Sequence, residues 1–279
     1  MVGASDPEVL WRDRVGSTQT EARVERERRS AIGQAGPFAV ATDDQTGGRG
    51  RLGRSWACRP GASLALTVVH PGPDRTAGSL TWAPLVAGLA VVGAVSALLG
   101  SDQGSSEPEM RALPPLGLKW PNDIHDARGR KAGGILVERM ADGTLLVGVG
   151  LNLRGAVLDV AGAEVPGAVS LGLGVDAPRL AETLAAAITL ELDLLEVVRG
   201  DAVASGQADR YRETCVTLGR AVRVLGVGSS PTVDGVARRI DDHGRLVVEH
   251  GGTESAVDVG DVLHVRPAAA TDDPREERE

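Results

Sequence analysis

One short stretch of the sequence concentrates glycine and arginine in a way that suits an anionic ligand. Residues 47–56 read Gly-Gly-Arg-Gly-Arg-Leu-Gly-Arg-Ser-Trp. Glycine lets the backbone approach a ligand closely, and arginine offers fork-shaped donors that match a carboxylate or a phosphate. The alternative is a solvated basic loop or an RNA-binding segment, although such segments usually interleave aromatic residues. The stretch therefore predicts a loop that closes over an anionic intermediate.

The two lysines form a second candidate group. Of the 30 basic residues only Lys119 and Lys131 are lysine, and all others are arginine. A lysine kept against this bias suggests a position where a compact, rotatable ammonium is needed and a planar guanidinium does not fit. Both lie in segments interrupted by glycine or proline, at 118–123 and 130–134. Chance is the alternative, but their spacing favours a functional role.

Other catalytic patterns do not match the sequence. The glycine-rich stretch is neither a Walker A loop, which ends in Gly-Lys-Ser/Thr, nor a dinucleotide-binding Gly-x-Gly-x-x-Gly. Residues 61–65, Gly-Ala-Ser-Leu-Ala, lack the last glycine of a nucleophile elbow. The five histidines show no metal-ligand spacing, and Cys58 and Cys215 are too few for a disulfide framework or a four-thiolate zinc site.

Four motifs, in their order along the chain, resemble those of the biotin protein ligases. They are Gly-Arg-Gly-Arg-Leu-Gly-Arg-Ser-Trp (48–56), Lys-Trp-Pro-Asn-Asp (119–123), Lys-Ala-Gly-Gly-Ile-Leu-Val-Glu (131–138) and Gly-Val-Gly-Leu-Asn (148–152). Gly-Ser-Thr at 16–18 also fits, and the resemblance covers residues 13–266. It implies activation of biotin by ATP to biotinyl-5′-adenylate, and then transfer of biotin to a lysine of a biotin carboxyl carrier domain of an acyl-CoA carboxylase.

The resemblance also implies which residues act. Lys119 and Arg51 are the implied catalytic residues, with Lys119 at the biotin carboxylate and the α-phosphate. The implied biotin-binding residues are Ser17, Thr18, Gln19, Gln45, Arg49, Gly50, Arg51, Lys119, Gly133, Gly134 and Gly148. The implied nucleotide-binding residues are Arg49, Arg51, Arg54, Trp56, Lys119, Asn122, Asn152 and Arg266.

Some of these assignments have alternatives. Thr18 could simply cap a helix, and Gln45 could be a turn residue. Gln19 stands where many relatives have asparagine, so its contact with the ureido ring is open. Asp123 could hold Mg²⁺ or orient Lys119. The reaction itself brings a carboxylate against a phosphate, which requires dense cationic stabilisation.

An α+β fold with a mixed sheet flanked by helices is predicted to position these residues. The resemblance implies that this part is a class II synthetase-like catalytic domain. Predicted helices lie at 17–32, within the uncharged segment 76–101 and at 178–198, and predicted strands at 37–42, 63–70, 116–119, 133–139 and 144–150. A polar loop is expected at 43–54 and a surface insertion at 101–115.

The sequence changes character after Cys215. Short β-rich runs at 221–225, 232–240, 246–250, 255–259 and 262–265 predict a small β-barrel-like domain, and the resemblance to biotin protein ligases implies that it is SH3-like. We therefore expect a catalytic domain at 1–215, a C-terminal domain at 216–267 and a disordered tail at 268–279.

Composition narrows the partners of this 279-residue chain. Its formal net charge of −8 gives no basic field for nucleic acid. Some biotin ligases carry a DNA-binding domain of about 60 residues ahead of the catalytic part. Because Ser17 lies close to Met1 and the chain is acidic, no DNA binding is expected here. The uncharged segment 76–101 is rich in small residues, so burial against a sheet is expected rather than membrane insertion. No secretory signal is apparent, so a cytoplasmic protein is expected.

Two other functions remain open at this stage. A lipoate or octanoate ligase would share the fold and the adenylation chemistry, although the arginine-rich stretch and Lys-Trp-Pro-Asn-Asp favour biotin. A non-catalytic biotin-binding regulator would need a biotin pocket but no cation at the α-phosphate.

Overall fold

The computed structural model describes residues 6–34, 36–72, 77–101, 115–159, 161–226, 231–258 and 260–264. Its elements in chain order are β1 (Glu8–Trp11), α1 (Thr18–Ala31), β2 (Phe38–Thr42), β3 (Gln45–Arg49), a 3₁₀ turn (Arg51–Gly53), β4 (Ser55–Cys58), β5 (Ser63–His70), α2 (Ala77–Ser101), β6 (Gly117–Lys119), β7 (Asp123–His125), β8 (Lys131–Arg139), β9 (Leu145–Asn152), α3 (Ala177–Val197), α4 (Gln207–Thr214), β10 (Ala221–Leu225), β11 (Val233–Ile240), β12 (Leu246–His250), β13 (Thr253–Val257) and β14 (Asp261–His264).

A seven-stranded mixed sheet forms the centre of the molecule. Its strand order is β1-β2-β5-β9-β8-β7-β6, with β1 and β2 parallel and every other pair antiparallel. The two central strands, β5 and β9, are buried along their whole length. The predicted mixed sheet with flanking helices is confirmed.

The two faces of this sheet are covered unequally. Side chains that alternate along a strand point to opposite faces, so Leu64, Leu66 and Val68 of β5 join the large core formed with α2 and α3. On the other face α1 contributes Ala22 to a small apolar cluster of five buried residues, completed by Phe38, Val40, Val69 and Leu146. Because α1 covers only part of this face, the remainder is free to form a site.

Helix α2 is the long uncharged helix. Its segment Leu80–Leu98 is long and apolar enough to cross a membrane by length and composition alone. Trp82, Val86 and Val91 are nevertheless fully buried in the core that α2 shares with α3 and the sheet. The expectation that this segment packs inside the protein is confirmed.

The C-terminal strands form a second, separate sheet. Its order is β13-β12-β11-β10-β14, and all its pairs are antiparallel. The arrangement is consistent with an SH3-like unit, but no ladder joins β13 to β14 in the described residues, so the structure shows a sheet rather than a closed barrel. Arg266, the tail at 268–279 and nearly all of the insertion at 101–115 lie outside the described residues.

Two buried tryptophans connect the C-terminal sheet to the rest of the protein. Trp120 Nε1 donates a 3.0 Å hydrogen bond to the carbonyl of Gly244, and Trp82 Nε1 donates one of 2.9 Å to the carbonyl of Asp242. Both acceptors lie in the turn between β11 and β12. A Cβ at Gly244, whose φ is +78°, would contact Leu85 at 3.2 Å, so this turn packs directly on α2.

The sequence prediction was wrong in one region that matters for function. The segment predicted as a polar loop at 43–54 contains β3, which pairs with β4 in a hairpin. Because glycine has a low strand propensity, the local sequence does not predict this strand. The strand forms because neighbouring backbone segments pair with it. Strands β1 and β7 and helix α4 were also not predicted.

Replacing Trp120 by phenylalanine tests the connection between the two sheets. Trp120→Phe leaves the buried Gly244 carbonyl without its donor, which is expected to lower the free energy of unfolding by about 1–3 kcal/mol. Urea unfolding followed by circular dichroism measures this. Trp11→Phe, at a partly exposed residue of edge strand β1, is the matched control and should lose less. Equal losses in both variants would show that the indole hydrogen bond does not connect the sheets.

Candidate functional site

A cavity of about 320 Å³ lies between the central sheet and the β3–β4 hairpin. Strands β8 and β9 form its floor, the hairpin covers it, and residues 157–159, 165 and 168 form one side. Its volume is at the lower end of the range for ligand pockets. The predicted site residues that line it are Ser17, Thr18, Gln19, Gln45, Arg49, Gly50, Arg51, Arg54, Trp56, Asn122, Asp123, Gly134, Gly148 and Asn152.

The floor of the cavity depends on glycine. A Cβ at Gly150 would lie 2.3 Å from the indole ring of Trp56, so the ring rests directly on the backbone of β9. A Cβ at Gly148 would lie 3.2 Å from both Gln19 Nε2 and the carbonyl oxygen of Leu136. These positions admit no larger side chain without displacing their neighbours, so glycine lets Trp56 and Gln19 pack against β9 beside the cavity.

The hairpin is held over the floor by backbone contacts. Gly47 N donates to the carbonyl of Gly16 at 2.6 Å, and Thr46 N donates to the carbonyl of Val15 at 3.0 Å. A Cβ at Gly48 would clash with the backbone carbonyl oxygen of Trp56 as well as with the Gln45 amide, so glycine is required there. The hairpin is therefore fixed against the segment that leads into α1.

One end of the cavity is a buried polar network. Gln45 Oε1 accepts hydrogen bonds from Thr18 N at 2.8 Å and from Thr18 Oγ1 at 3.2 Å. Thr18 is the first residue of α1 and its hydroxyl does not cap the helix, and Gln45 is a strand residue rather than part of a turn. Gln19 Nε2 donates to the carbonyl of Leu136 at 3.1 Å, while its Oε1 is buried without a partner.

The other end of the cavity contains a buried carboxylate. Asp123 Oδ1 accepts a hydrogen bond of 2.6 Å from Lys131 Nζ, and Oδ2 lies 3.9 Å from His125 Nε2. Burial raises the pKa of Asp123, but His125, Lys131 and Lys119 together lower it by more, so that the pKa is about 2. Asp123 is therefore an anion at neutral pH and holds the Lys131 ammonium at the cavity.

Lys119 occupies a different place from the one expected. It pairs with Asp123 across the β6–β7 ladder, and its half-buried side chain is not among those that line the cavity. Burial lowers the pKa of Lys119, although the carboxylates of Asp123 and Asp261 oppose this shift. Lys131 lines the cavity, whereas Lys119, the cross-strand neighbour of Asp123, is not among the lining residues.

Two arginines of the hairpin connect it to both sheets. Arg51 Nη1 donates to Asn122 Oδ1 at 3.0 Å, and Nη2 donates to the carbonyl of Gly260 at 3.1 Å. Arg54 forms an ion pair with Asp261 at the start of β14. With the two lysines, these arginines give the end around Asp123 a surplus of positive charge, which favours an anionic ligand.

One group elsewhere has the composition of a metal site. His70, Asp193 and Glu196 bring possible ligand atoms within 4.8 Å of one another. His70 Nδ1 accepts a 3.1 Å hydrogen bond from Gly72 N, so Nε2 carries the proton and donates it to Asp193 at 2.9 Å. The lone pair that a metal would need is therefore not available on this histidine.

Two predicted site residues lie away from the cavity, and one is outside the described residues. A Cβ at Gly133 would lie 2.6 Å from Leu151 Cδ2 and 2.7 Å from the carbonyl of Gly150, so this glycine serves packing within the sheet. Lys119 is not among the residues that line the cavity, and Arg266 lies outside the residues that the structure describes. The expectation that Gly133 lines the pocket is wrong, because its missing side chain faces the core.

Lys131, Gly150 and Asp261 also line the cavity, although none of them is among the site residues that the resemblance implies. The scarcity of lysine already singled out Lys131, but no role was assigned to it. Gly150 belongs to the motif at 148–152, where only the contact with Trp56 reveals its purpose. No sequence signal indicated Asp261, because it comes from the second sheet.

Comparisons with known proteins show the family of this chain. Residues 11–153, just over half of the chain, match the biotin/lipoate A/B protein ligase family. The chain is 40% identical over 230 residues to the biotin–[acetyl-CoA-carboxylase] ligase of Mycobacterium tuberculosis. The aligned region covers 81% of this chain and 79% of that protein.

Solved structures show the same fold. The biotin protein ligase of Aquifex aeolicus in complex with biotin and ATP superposes with a TM-score of 0.69 at 24% identity, covering 93% of this chain and 99% of the other. The biotin protein ligase of Leishmania major in complex with biotinyl-5-AMP gives a TM-score of 0.56 at 26% identity, covering 91% and 99%. This chain therefore belongs to the biotin/lipoate A/B protein ligase family.

Proposed function

We propose that this chain is an ATP-dependent biotin protein ligase. In the first half-reaction a biotin carboxylate oxygen bonds to the α-phosphorus of ATP, and the bond from that phosphorus to the pyrophosphate oxygen breaks. In the second, a lysine amine of the acceptor bonds to the biotinyl carbonyl carbon, AMP leaves and the amine releases a proton to solvent. The observation that carries the proposal is a single cavity with a polar end suited to a urea and a cationic end suited to an adenylate.

The polar end distinguishes biotin from lipoate. Because the Thr18 hydroxyl donates its one proton to Gln45, its oxygen can only accept from a ligand. Gln45 Oε1 is occupied by Thr18, so the amide offers the ligand the donors of Nε2. A ligand that satisfies both residues needs an N–H beside a C=O, as in the ureido ring of biotin. The dithiolane ring of lipoate has neither.

The glycine floor supports a flat ligand between the two ends. Biotin would lie over Gly148 and Gly134 with its ureido ring near Ser17, Thr18 and Gln45. Ser17 lines the cavity beside Thr18, so it is proposed as a further ureido contact. We propose that Gln19 takes the role of the asparagine that many relatives have at this position.

The cationic end would stabilise the reacting groups. Lys131 lines the cavity and Arg51 reaches it from the hairpin, so we propose that these two contact the carboxylate and the α-phosphate as negative charge gathers there. Lys119, the cross-strand neighbour of Asp123, adds positive charge to this end, so we propose a smaller, electrostatic contribution that needs no direct contact with the ligand. Asp123 is a positioning residue, because its carboxylate holds Lys131.

The nucleotide is proposed to bind at the rim of this end. Its candidate contacts in the cavity lining are Arg49, Arg51, Arg54, Trp56, Asn122 and Asn152. Mg²⁺ supplies charge neutralisation in adenylation chemistry. Asp123 does not fit the role of its ligand, since one oxygen is bound to Lys131 and the surroundings are cationic. We therefore propose that Mg²⁺ is held by the phosphates of ATP.

The partner and the division of the chain are also proposals. We infer that the acceptor is the biotin carboxyl carrier domain of an acyl-CoA carboxylase, since the relative from M. tuberculosis is named for acetyl-CoA carboxylase. The catalytic unit would span 1–215 and the C-terminal unit 216–267. A cytoplasmic location, where ATP and such carboxylases are found together, fits this assignment.

Pyrophosphate exchange tests the proposed function directly. With Mg²⁺ and ATP, the protein is expected to incorporate labelled pyrophosphate into ATP when biotin is present and not when lipoate or octanoate replaces it. Exchange with lipoate alone would assign the chain to the other branch of its family. Biotin binding without exchange would make it a binding protein.

The two lysines can be separated by matched substitutions. Lys131→Met removes the ammonium that lines the cavity and is expected to lower the rate of biotin-dependent exchange by about 100-fold or more. Lys119→Met removes a more distant charge, and a loss of about tenfold or less is expected. Steady-state kinetics of both variants provide the measurement. A larger loss for Lys119→Met would return the direct contact to Lys119.

A further inference from the structure

The polar end of the cavity continues behind the residues that face the ligand. Thr67 Oγ1 donates a 2.9 Å hydrogen bond to Thr18 Oγ1, which in turn donates to Gln45 Oε1 at 3.2 Å. Thr67 is fully buried in the central strand β5, and its side chain is not among those that line the cavity. It therefore touches the network but not the ligand.

The direction of every proton in this chain of hydrogen bonds follows from its members. The backbone N–H of Thr18 can only donate, so the atom of Gln45 that it meets at 2.8 Å is the carbonyl oxygen. That oxygen can only accept, so the Thr18 hydroxyl must use its single proton there. The Thr18 oxygen must then accept from Thr67, and the Thr67 hydroxyl is the donor.

We propose that Thr67 is a positioning residue that sets the polarity of the substrate-recognition network. By donating to Thr18, it prevents the Thr18 hydroxyl from turning its proton towards the sheet, and it keeps the remaining lone pair available to a ligand N–H. Through Thr18 it also holds the Gln45 carbonyl, so the amide Nε2 faces the ligand as a donor. This inference rests on the proposed function, because the N–H and C=O in question are those of the biotin ureido ring.

At the position of Thr67 in the sheet, packing would accept valine as well as threonine, so only the hydroxyl distinguishes the two residues. Thr67 pairs with Gly148 on β9 and with Val40 on β2. The next residue on the same face of β5 is Val69, which belongs to the apolar cluster under α1. Valine has almost the shape of threonine and favours a strand equally, so apolar packing would be served as well by valine at 67.

The test compares three variants of the full chain. Thr67→Val removes the hydroxyl, Thr67→Ser retains it, and Thr189→Val is the control, since Thr189 is buried in α3 and its Oγ1 has no hydrogen-bond partner. The Kd for biotin is measured by calorimetry without ATP. The KM values for biotin and ATP come from pyrophosphate exchange, and the melting temperature of each variant is recorded.

The expected result is selective for biotin. Thr67→Val should raise the Kd and the KM for biotin by about 3- to 10-fold, and leave kcat and the KM for ATP within twofold of wild type. Thr67→Ser should restore most of the biotin affinity, and Thr189→Val should not change it. In a Thr18→Ala background, Thr67→Val should have no further effect on the biotin Kd, because the acceptor of its hydrogen bond is gone.

Two outcomes would overturn the inference. One is a biotin Kd unchanged in Thr67→Val, and the other is an equal rise of the KM for ATP and biotin with a lower melting temperature, which would indicate a packing role. A wild-type protein that neither binds biotin nor exchanges pyrophosphate would instead contradict the proposed function itself.

Discussion

The site depends on the absence of side chains along one stretch of a buried strand. Strand β9 presents Leu146 to the apolar cluster beneath α1, and two and four residues later it presents Gly148 and Gly150 to the cavity. Alternation places all three on the same face. Beyond the part of the face that α1 covers, the residues of the strand that point to this face therefore change from leucine to glycine. The hairpin covers this part of the strand. Any Cβ at Gly150 would enter the indole ring of Trp56.

The charges of the site are organised around one carboxylate. Asp123 remains ionised although it is buried, because Lys131, His125 and Lys119 surround it. Together with Asp261, which pairs with Arg54, this anion keeps positive charge at the end of a cavity, where a carboxylate and a phosphate would otherwise repel each other. Arg51 contributes from the hairpin and reaches Asn122 and the Gly260 carbonyl at the same time. Through Arg51 the cover of the cavity is bound to both sheets.

Elements with a regular apolar pattern could be predicted from the sequence. Strand β5 was predicted with its observed bounds at 63–70, and β10 and β12 likewise, because burial imposes a pattern that local reading detects. The hairpin strand β3 was missed, since Gln-Thr-Gly-Gly-Arg has no strand propensity and its pairing partners lie at Val15, Gly16 and β4. Such contacts between distant segments leave no local pattern.

Among the residues of the site, too, some could be predicted from the sequence and others could not. Motifs identified most residues of the cavity, but they could not tell which glycines face a ligand and which face the core, so Gly133 was misplaced. They also could not rank the two lysines, because the choice depends on which one reaches beyond Asp123 into the cavity. The hydroxyl of Thr67 gave no signal, as a threonine in a strand is an ordinary residue until Thr18 is seen beside it.

This cavity is expected to make biotinyl-adenylate and to retain it. The most direct measurement incubates the protein with biotin, Mg²⁺ and ATP labelled on the α-phosphate, then separates protein from small molecules by rapid gel filtration. We expect nearly stoichiometric label to elute with the wild-type protein only when biotin is present, and less label with Arg51→Ala, because Arg51 is proposed to contact the carboxylate and the α-phosphate. If no biotin-dependent label is found in either fraction, the cavity does not perform this reaction.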